Sequence, residues 1–254
     1  MNHFFVVILF LMAANLYALT EAETSAIIKT VDDLQRNSGD YTSLCYIKDT
    51  EKGKEPRLNQ ALVYRRDTDN KFMILFTKPK EDAGKGYLKI DKNLWNYEPS
   101  TGKWDRKTER ERIGGTNSRR GDFDESKLSE EFTAVYDGDE KLGDYDAYKF
   151  TLAGKNGVDV PYPVLKLWVD KASKNILKRE EYSLSKKLMR TSFYPKWMKK
   201  FSPSKKSDVW IPEEIRIFDE LEKGNTTIIL IKEVDLNTLP ENMFTKAWVE
   251  SKSK

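Results

Sequence analysis

The stretch KFMILFTKPKEDAGKGYLKIDKNLWNYEPSTGKWDRKT, Lys71 to Thr108, holds four short apolar or aromatic runs parted by turn-forming residues. KFMILFT, GYLKI, LWNY and KWDRKT carry the bulky side chains that suit a pleated, half-buried surface. KPKEDAGKG and EPSTG supply the Pro, Gly, Asp and Ser that close turns. The stretch therefore reads as a meander of antiparallel strands. Two more such runs, YTSLCYI and QALVYRR, precede it, giving six in about 65 residues, a spacing typical of all-β sheets.

The rhythm breaks at RIGGTNSRRGDFDESKLSEEF, Arg112 to Phe132. Gly114 and Gly115 interrupt the strand pattern. Phe123, Leu128 and Phe132 fall on one side of what reads as a loop followed by a short helix. Strands then resume through FTAVYDG, DAYKFTLA, PVLKLWVD, NILKREEYSL, LMRTSFYP, DVWIPEEIRIFDEL and NTTIILIKEVDL. Before the first strand, LTEAETSAIIKTVDDLQRNSG reads as a helix with Ala26, Ile27, Val31 and Leu34 as its apolar stripe and NSG as its stop. The end, LPENMFTKAWVESKSK, reads as a packed turn and a frayed basic tail. The expected class is mostly β (α+β). A sheet of this size must curl, stack or close, with two helices to cover it.

The first residues differ from all the rest. FFVVILFLMAA, Phe4 to Ala14, is uncharged and too short to cross a ~30 Å hydrocarbon core as a helix. It reads as the apolar region of a secretory signal peptide, residues 1–18, with cleavage after Ala18 or after Ala22. Residues 19–254 then form a single exported domain.

Of 254 residues, 33% are charged, with 44 basic against 41 acidic side chains. So even a balance does not resemble a nucleic-acid binder. Cys45 is the single cysteine, which excludes an intramolecular disulfide, and its apolar setting predicts a buried thiol. The single histidine, His3, lies within the signal segment. The mature chain then has no Ser-His-Asp or Cys-His chemistry and no histidine zinc site. A non-enzymatic protein without cofactor or metal is expected. Asp122 and Asp124, two residues apart, read as capping charges at a helix start rather than as a glycosidase pair.

Several strings resemble the outer-membrane lipoprotein-sorting proteins, the LolA-like group: YLKIDKNLWNYEPSTGKWDRKTERERIGGTNSRRGDFD, LKLWVDKASKNILKREEY, KKLMRTSFY, VWIPEEIRI and NTTIILIKEVDLNTLPENMFT. The resemblance implies an unclosed half-barrel, covered by the N-terminal helix and the mid-chain loop-helix, whose concave apolar face holds acyl chains. It also implies a carrier that moves lipoproteins or lipid to the outer membrane, with an inner-membrane transporter or outer-membrane acceptor as partner. The alternative role is a sensor of the same fold that binds lipid or peptide and a membrane-bound partner. DRKTERERIGGTNSRRGDFD is more charged than the corresponding loop of the minimal carriers.

Strand alternation puts Trp95 and Tyr97 on one face, Leu88 and Ile90 on one face, and Phe72, Ile74 and Phe76 on one face. These seven either line a lipid groove or form plain core. The basic pair Arg119 and Arg120 would meet an acidic partner or a phosphate headgroup. In YPKWMKKFSPSKK, Lys199 and Lys200 beside Trp197, Met198 and Phe201 suit either a loop in transient contact with an anionic membrane or a solvated loop with its rings turned inward.

Overall fold

The computed structural model describes residues 18–90, 93–108 and 110–253, so the signal-peptide expectation lies outside the described residues but for its last position. Among these residues all thirteen expected strands form: β1 (Asp40–Thr50), β2 (Arg57–Arg66), β3 (Lys71–Lys78), β4 (Gly86–Ile90), β5 (Asn93–Glu98), β6 (Lys103–Lys107), β7 (Phe132–Leu142), β8 (Tyr145–Gly154), β9 (Val164–Asp170), β10 (Ile176–Tyr182), β11 (Leu188–Ser202), β12 (Ser207–Asp219) and β13 (Thr226–Asp235).

They make one antiparallel sheet in the order β6-β5-β4-β3-β2-β1-β13-β12-β11-β10-β9-β8-β7. The first and last strands pair at its centre, and β6 and β7, consecutive in the chain, form its two free edges. Pairing them would close a barrel, but the sheet stays open. The chain must therefore travel from one edge to the other across the open side, and residues 108–131 make that journey. One apolar cluster joins both halves, from Phe72, Ile74 and Phe76 to Phe150, Leu152 and Leu167.

The helix α1 (Glu21–Gln35) starts at a capping box: Thr20 Oγ1 accepts from Glu23 N–H at 3.2 Å, and Glu23 Oε2 accepts from Thr20 N–H at 2.8 Å. Its buried stripe is Thr24, Ile28, Val31 and Asp32. This shifts the expected stripe, since Ala26 is exposed and Ile27 and Leu34 are half-buried. The helix packs on β7, β12 and the four-residue α2 (Leu128–Glu131).

Asp32 caps α2 from outside. Its carboxylate accepts from Leu128 N–H at 3.0 Å, Ser129 N–H at 2.7 Å, and the Ser126 and Ser129 hydroxyls. Of the expected caps, Asp122 accepts from Arg119 N–H at the start of the 3-10 turn Arg120–Asp122 rather than at α2, and Asp124 pairs with Lys89.

A third helix, α3 (Lys246–Lys252), stands where a turn and frayed tail were expected, begun by a Thr245 side-chain cap on Trp248 N–H. It covers the convex face of β3–β5, where Met73, Leu88 and Tyr97 meet Met243, Phe244 and Val249. A Cβ at Gly86 would sit 2.6 Å from Val249 Cγ1, so the helix approaches as closely as the missing side chain allows. Covered on both sides, β3 buries all five residues of FMILF. The long strand β11 also corrects an expectation, because it carries YPKWMKKFS into a hairpin with β12 rather than a loop.

Candidate functional site

The open side of the sheet is filled unequally. Over β3 and β4 the crossing loop lies in direct contact. Ile113 is fully buried, and Gly114, at φ 59°, leaves room for the Phe76 ring, whose Cζ would be 2.5 Å from an added Cβ. Gly114 N–H donates to the Tyr87 hydroxyl oxygen at 2.9 Å. At the sheet centre Asn117 N–H donates to Thr227 Oγ1 at 2.9 Å.

Beyond that point a cavity of about 180 Å³ remains between the concave sheet and the loop with α2. Its apolar wall includes Val63, Cys45, Ile231, Ile215 and Tyr194, faced by Phe123 and Leu128. Burial pushes the Cys45 thiol up to about 12, so at neutral pH it is a protonated wall group.

The DFD of the loop ties the two halves of the sheet together. Asp122, whose side chain is fully enclosed, places Oδ1 2.5 Å from Arg190 Nη2 on β11 and 3.1 Å from Arg179 Nη2 on β10; its Oδ2 accepts from Arg119 N–H at 2.7 Å. Glu181, also on β10, lies 3.0 Å from Arg179 Nε and 3.1 Å from Arg190 Nη1. Burial alone would raise the Asp122 carboxyl, but the Arg190 and Arg179 guanidiniums outweigh it and hold it below the usual carboxylate range.

Asp124 turns to the other half and meets the buried Lys89 Nζ on β4 at 2.5 Å. Burial lowers Lys89 and its Asp124 partner partly restores it. Between the two acids, the Phe123 ring enters the core.

The seven proposed wall residues do not come together. Phe72, Ile74 and Phe76 face the concave side, but the main core and the loop occupy it there, and none of the three lines the cavity. Leu88 and Tyr97 lie on the convex face under α3, with Ile90 packed alongside. Cross-strand pairing with Leu88 puts Trp95 on that face too, where Lys246 Nζ stands 3.7 Å from its ring centroid. The hairpin rings thus receive the C-terminal helix: Tyr97 packs on Trp104 at 5.0 Å, and Trp104 Nε1–H donates to Glu250 at 2.7 Å.

Arg119 lines the cavity, while Arg120 stands 3.6 Å from Asp124. Lys199 and Lys200 are exposed on β11, and Lys199 lies 3.6 Å from Asp208 and above the Trp210 ring. Arg179, Glu181 and Arg190 were not foreseen. In LKREEY both faces carry charge, so alternation alone does not reveal which side points inward. The register pairing Glu181 with Arg190 supplies that information.

Three solved structures share this architecture. A LolA superfamily protein from Nitrosomonas europaea superposes with a TM-score of 0.75 at 21% identity, covering 89% of this chain and 98% of that one. A domain named for outer membrane lipoprotein sorting, from Vibrio parahaemolyticus, gives 0.78 at 17%, covering 91% and 100%. A DUF1329 family protein from Desulfovibrio piger gives 0.79 at 18%, covering 89% and 97%. A family model described as uncharacterized-protein-like matches residues 68–251, more than half of the chain. The chain belongs to this family, and its fold is LolA-like.

No curated protein matches the sequence. In this LolA-like chain no described helix is long and apolar enough to cross a membrane.

Proposed function

We propose that this LolA-like protein is a periplasmic carrier. It takes the acyl chains of a lipoprotein, or another lipid, into the space between the concave sheet and the crossing loop for transfer to the outer membrane. The observation that carries the reading is the cavity, walled in part by apolar side chains, under a loop whose Asp122 and Asp124 are held by ionic contacts to the sheet. At about 180 Å³ it is smaller than the ~300–1,000 Å³ of typical small-molecule sites. The described conformation is thus the closed one, and a long chain enters only as the loop withdraws from β10, β11 and β4.

Binding then follows from area and competition. Each buried CH₂ contributes roughly 0.8 kcal/mol, and the loop's own contacts oppose entry. Release needs no covalent step, because an acceptor has only to favour the closed form. Lipoprotein or lipid is the cargo in this reading, and a membrane-bound transporter or acceptor is the transfer partner. The exposed Lys199 and Lys200 would make brief contact with an anionic surface.

The test is native mass spectrometry of protein purified from its own periplasm, followed by organic extraction. Bound acylated protein or lipid, lost when Val63→Trp fills the cavity and kept when Trp95 is changed, supports the carrier. An empty protein that refuses acyl probes but binds a single-pass membrane regulator favours the sensor role.

A further inference from the structure

Arg179 and Arg190 are unusual tenants of a sheet interior. Both guanidiniums are enclosed on the concave face, at the cavity wall. Among the described residues their acidic partners are Glu181, on β10 itself, and Asp122, which belongs to the loop. The four charges balance only while the loop is closed. When Asp122 leaves, two guanidiniums face one carboxylate in a low-dielectric setting, and an uncompensated buried cation is strongly unfavourable. Arg190 Nε already has no hydrogen-bond partner in the described structure, so the pair retains donor capacity. Planar guanidiniums present paired N–H groups suited to carboxylate and phosphate oxygens.

We propose that Arg179 and Arg190 form a binding site for the anionic head of a single-chain or phosphate-bearing lipid, and that Asp122 is its internal stand-in. The proposal rests on the lipid-carrying reading and specifies it. The apolar wall of Val63, Ile215 and Ile231 takes the chain, and the arginine pair takes a carboxylate or phosphate oxygen where the Asp122 carboxylate now sits. Exchange of one oxyanion for another keeps the charge balanced while the loop opens. A neutral amphiphile has no such compensation and enters only at the full cost of separating Asp122 from the pair. Selection is then by head charge, with Glu181 and the Arg119 backbone N–H fixing the geometry around the exchanged oxygen.

The experiment compares decanol, decanoate and decyl phosphate by isothermal titration against the whole mature chain, Asp122→Asn and Asp122→Asn/Arg190→Gln. Asp122→Asn keeps the shape of the loop and removes its charge. Expected in Asp122→Asn is a gain for the anionic ligands roughly tenfold greater than any gain for decanol, which follows only from easier opening of the loop. The excess should vanish in the double variant. Tighter decanoate points to fatty-acid-like heads and tighter decyl phosphate to phospholipid-like heads, and either supports the site.

An equal gain for decanol, or none for the anions, overturns it and leaves the carrier reading standing. Inorganic phosphate separates the remaining cases through thermal unfolding. If no decyl ligand binds but phosphate raises the Tm of Asp122→Asn and not of the unchanged chain, the anion site stands and the carrier reading falls. If neither effect appears, both fall.

Discussion

The strands β3, β4 and β5 are covered on both faces, but the two faces are closed by different means. On the convex side a seven-residue helix, α3, and the turn before it meet the sheet in close contact: Val249 of the helix over Gly86, Met243 and Phe244 of the turn in one cluster with Met73 and Leu88, and Lys246 over Trp95. On the concave side the cover is a loop without a long helix of its own, fixed by Gly114 on Phe76 and by two buried carboxylates. The first closure leaves little space, and its charged groups, Lys246 and Glu250, meet aromatic rings rather than ions of opposite charge. The second leaves a cavity and holds it shut with ionic contacts that another anion can replace. Close-packed apolar contact suits permanent structure, whereas a replaceable latch over empty volume suits binding.

The contrast is broken most severely by removing a charge from the latch. Arg190→Met leaves Asp122 under-compensated in the interior and should cost about 3–5 kcal/mol of stability, read from urea unfolding. On the convex face Leu88→Ala opens a cavity and should cost about 2–5 kcal/mol, with acyl-probe affinity unchanged. An affinity loss as large as that of a cavity variant would mean that the two faces are not independent. Gly86→Ala presses a methyl into Val249 and should cost about 1–3 kcal/mol, again without changing probe affinity.

Acid gives a graded form of the first test. The folded-state pKa of Asp122 is depressed, so its stabilising effect is complete above the unfolded carboxylate value of ~3.9 and is lost as pH falls through the folded value. Hydrogen exchange in residues 113–124 should therefore accelerate in acid before exchange in α3 does, and Asp122→Asn should remove that difference. The smallest effect belongs to Trp95→Ala, where loss of the Lys246 contact should cost about 0.5–1 kcal/mol.

Much of this fold was legible in the chain. All thirteen strands follow from runs such as YTSLCYI and GYLKI and from the turns between them, and the glycine break at 114–115 marks the crossing segment. The unclosed sheet agrees with the resemblance that the strings around LWNYEPSTGKWDR implied. The site was less legible, for identifiable reasons. FMILF is apolar at every position, so its pattern does not say which face lies under the crossing loop and which under a helix; both are buried.

The destination of Trp95 and Tyr97 depends on α3, over a hundred residues away in the chain, which a basic tail concealed. Asp122 and Asp124 read as caps because a short helix follows them; Asp122 does cap the 3-10 turn Arg120–Asp122, while the cap of α2, Asp32, arrives from α1. The guanidinium pair becomes visible only once β10 and β11 are in register. Thr20 and Glu23 did carry a readable signal, the T-x-x-E capping box, which cleavage after Ala18 keeps and cleavage after Ala22 destroys.

The central claim is that the concave cavity, and not the convex aromatic face, accepts an apolar chain. Titration of a fluorescent fatty-acyl probe against the unchanged chain, Val63→Trp and Trp95→Ala tests it directly. The account predicts saturable binding to the unchanged chain, loss in Val63→Trp and unaltered affinity in Trp95→Ala. Binding that survives Val63→Trp but disappears in Trp95→Ala would contradict it and move the site to the opposite face of the sheet.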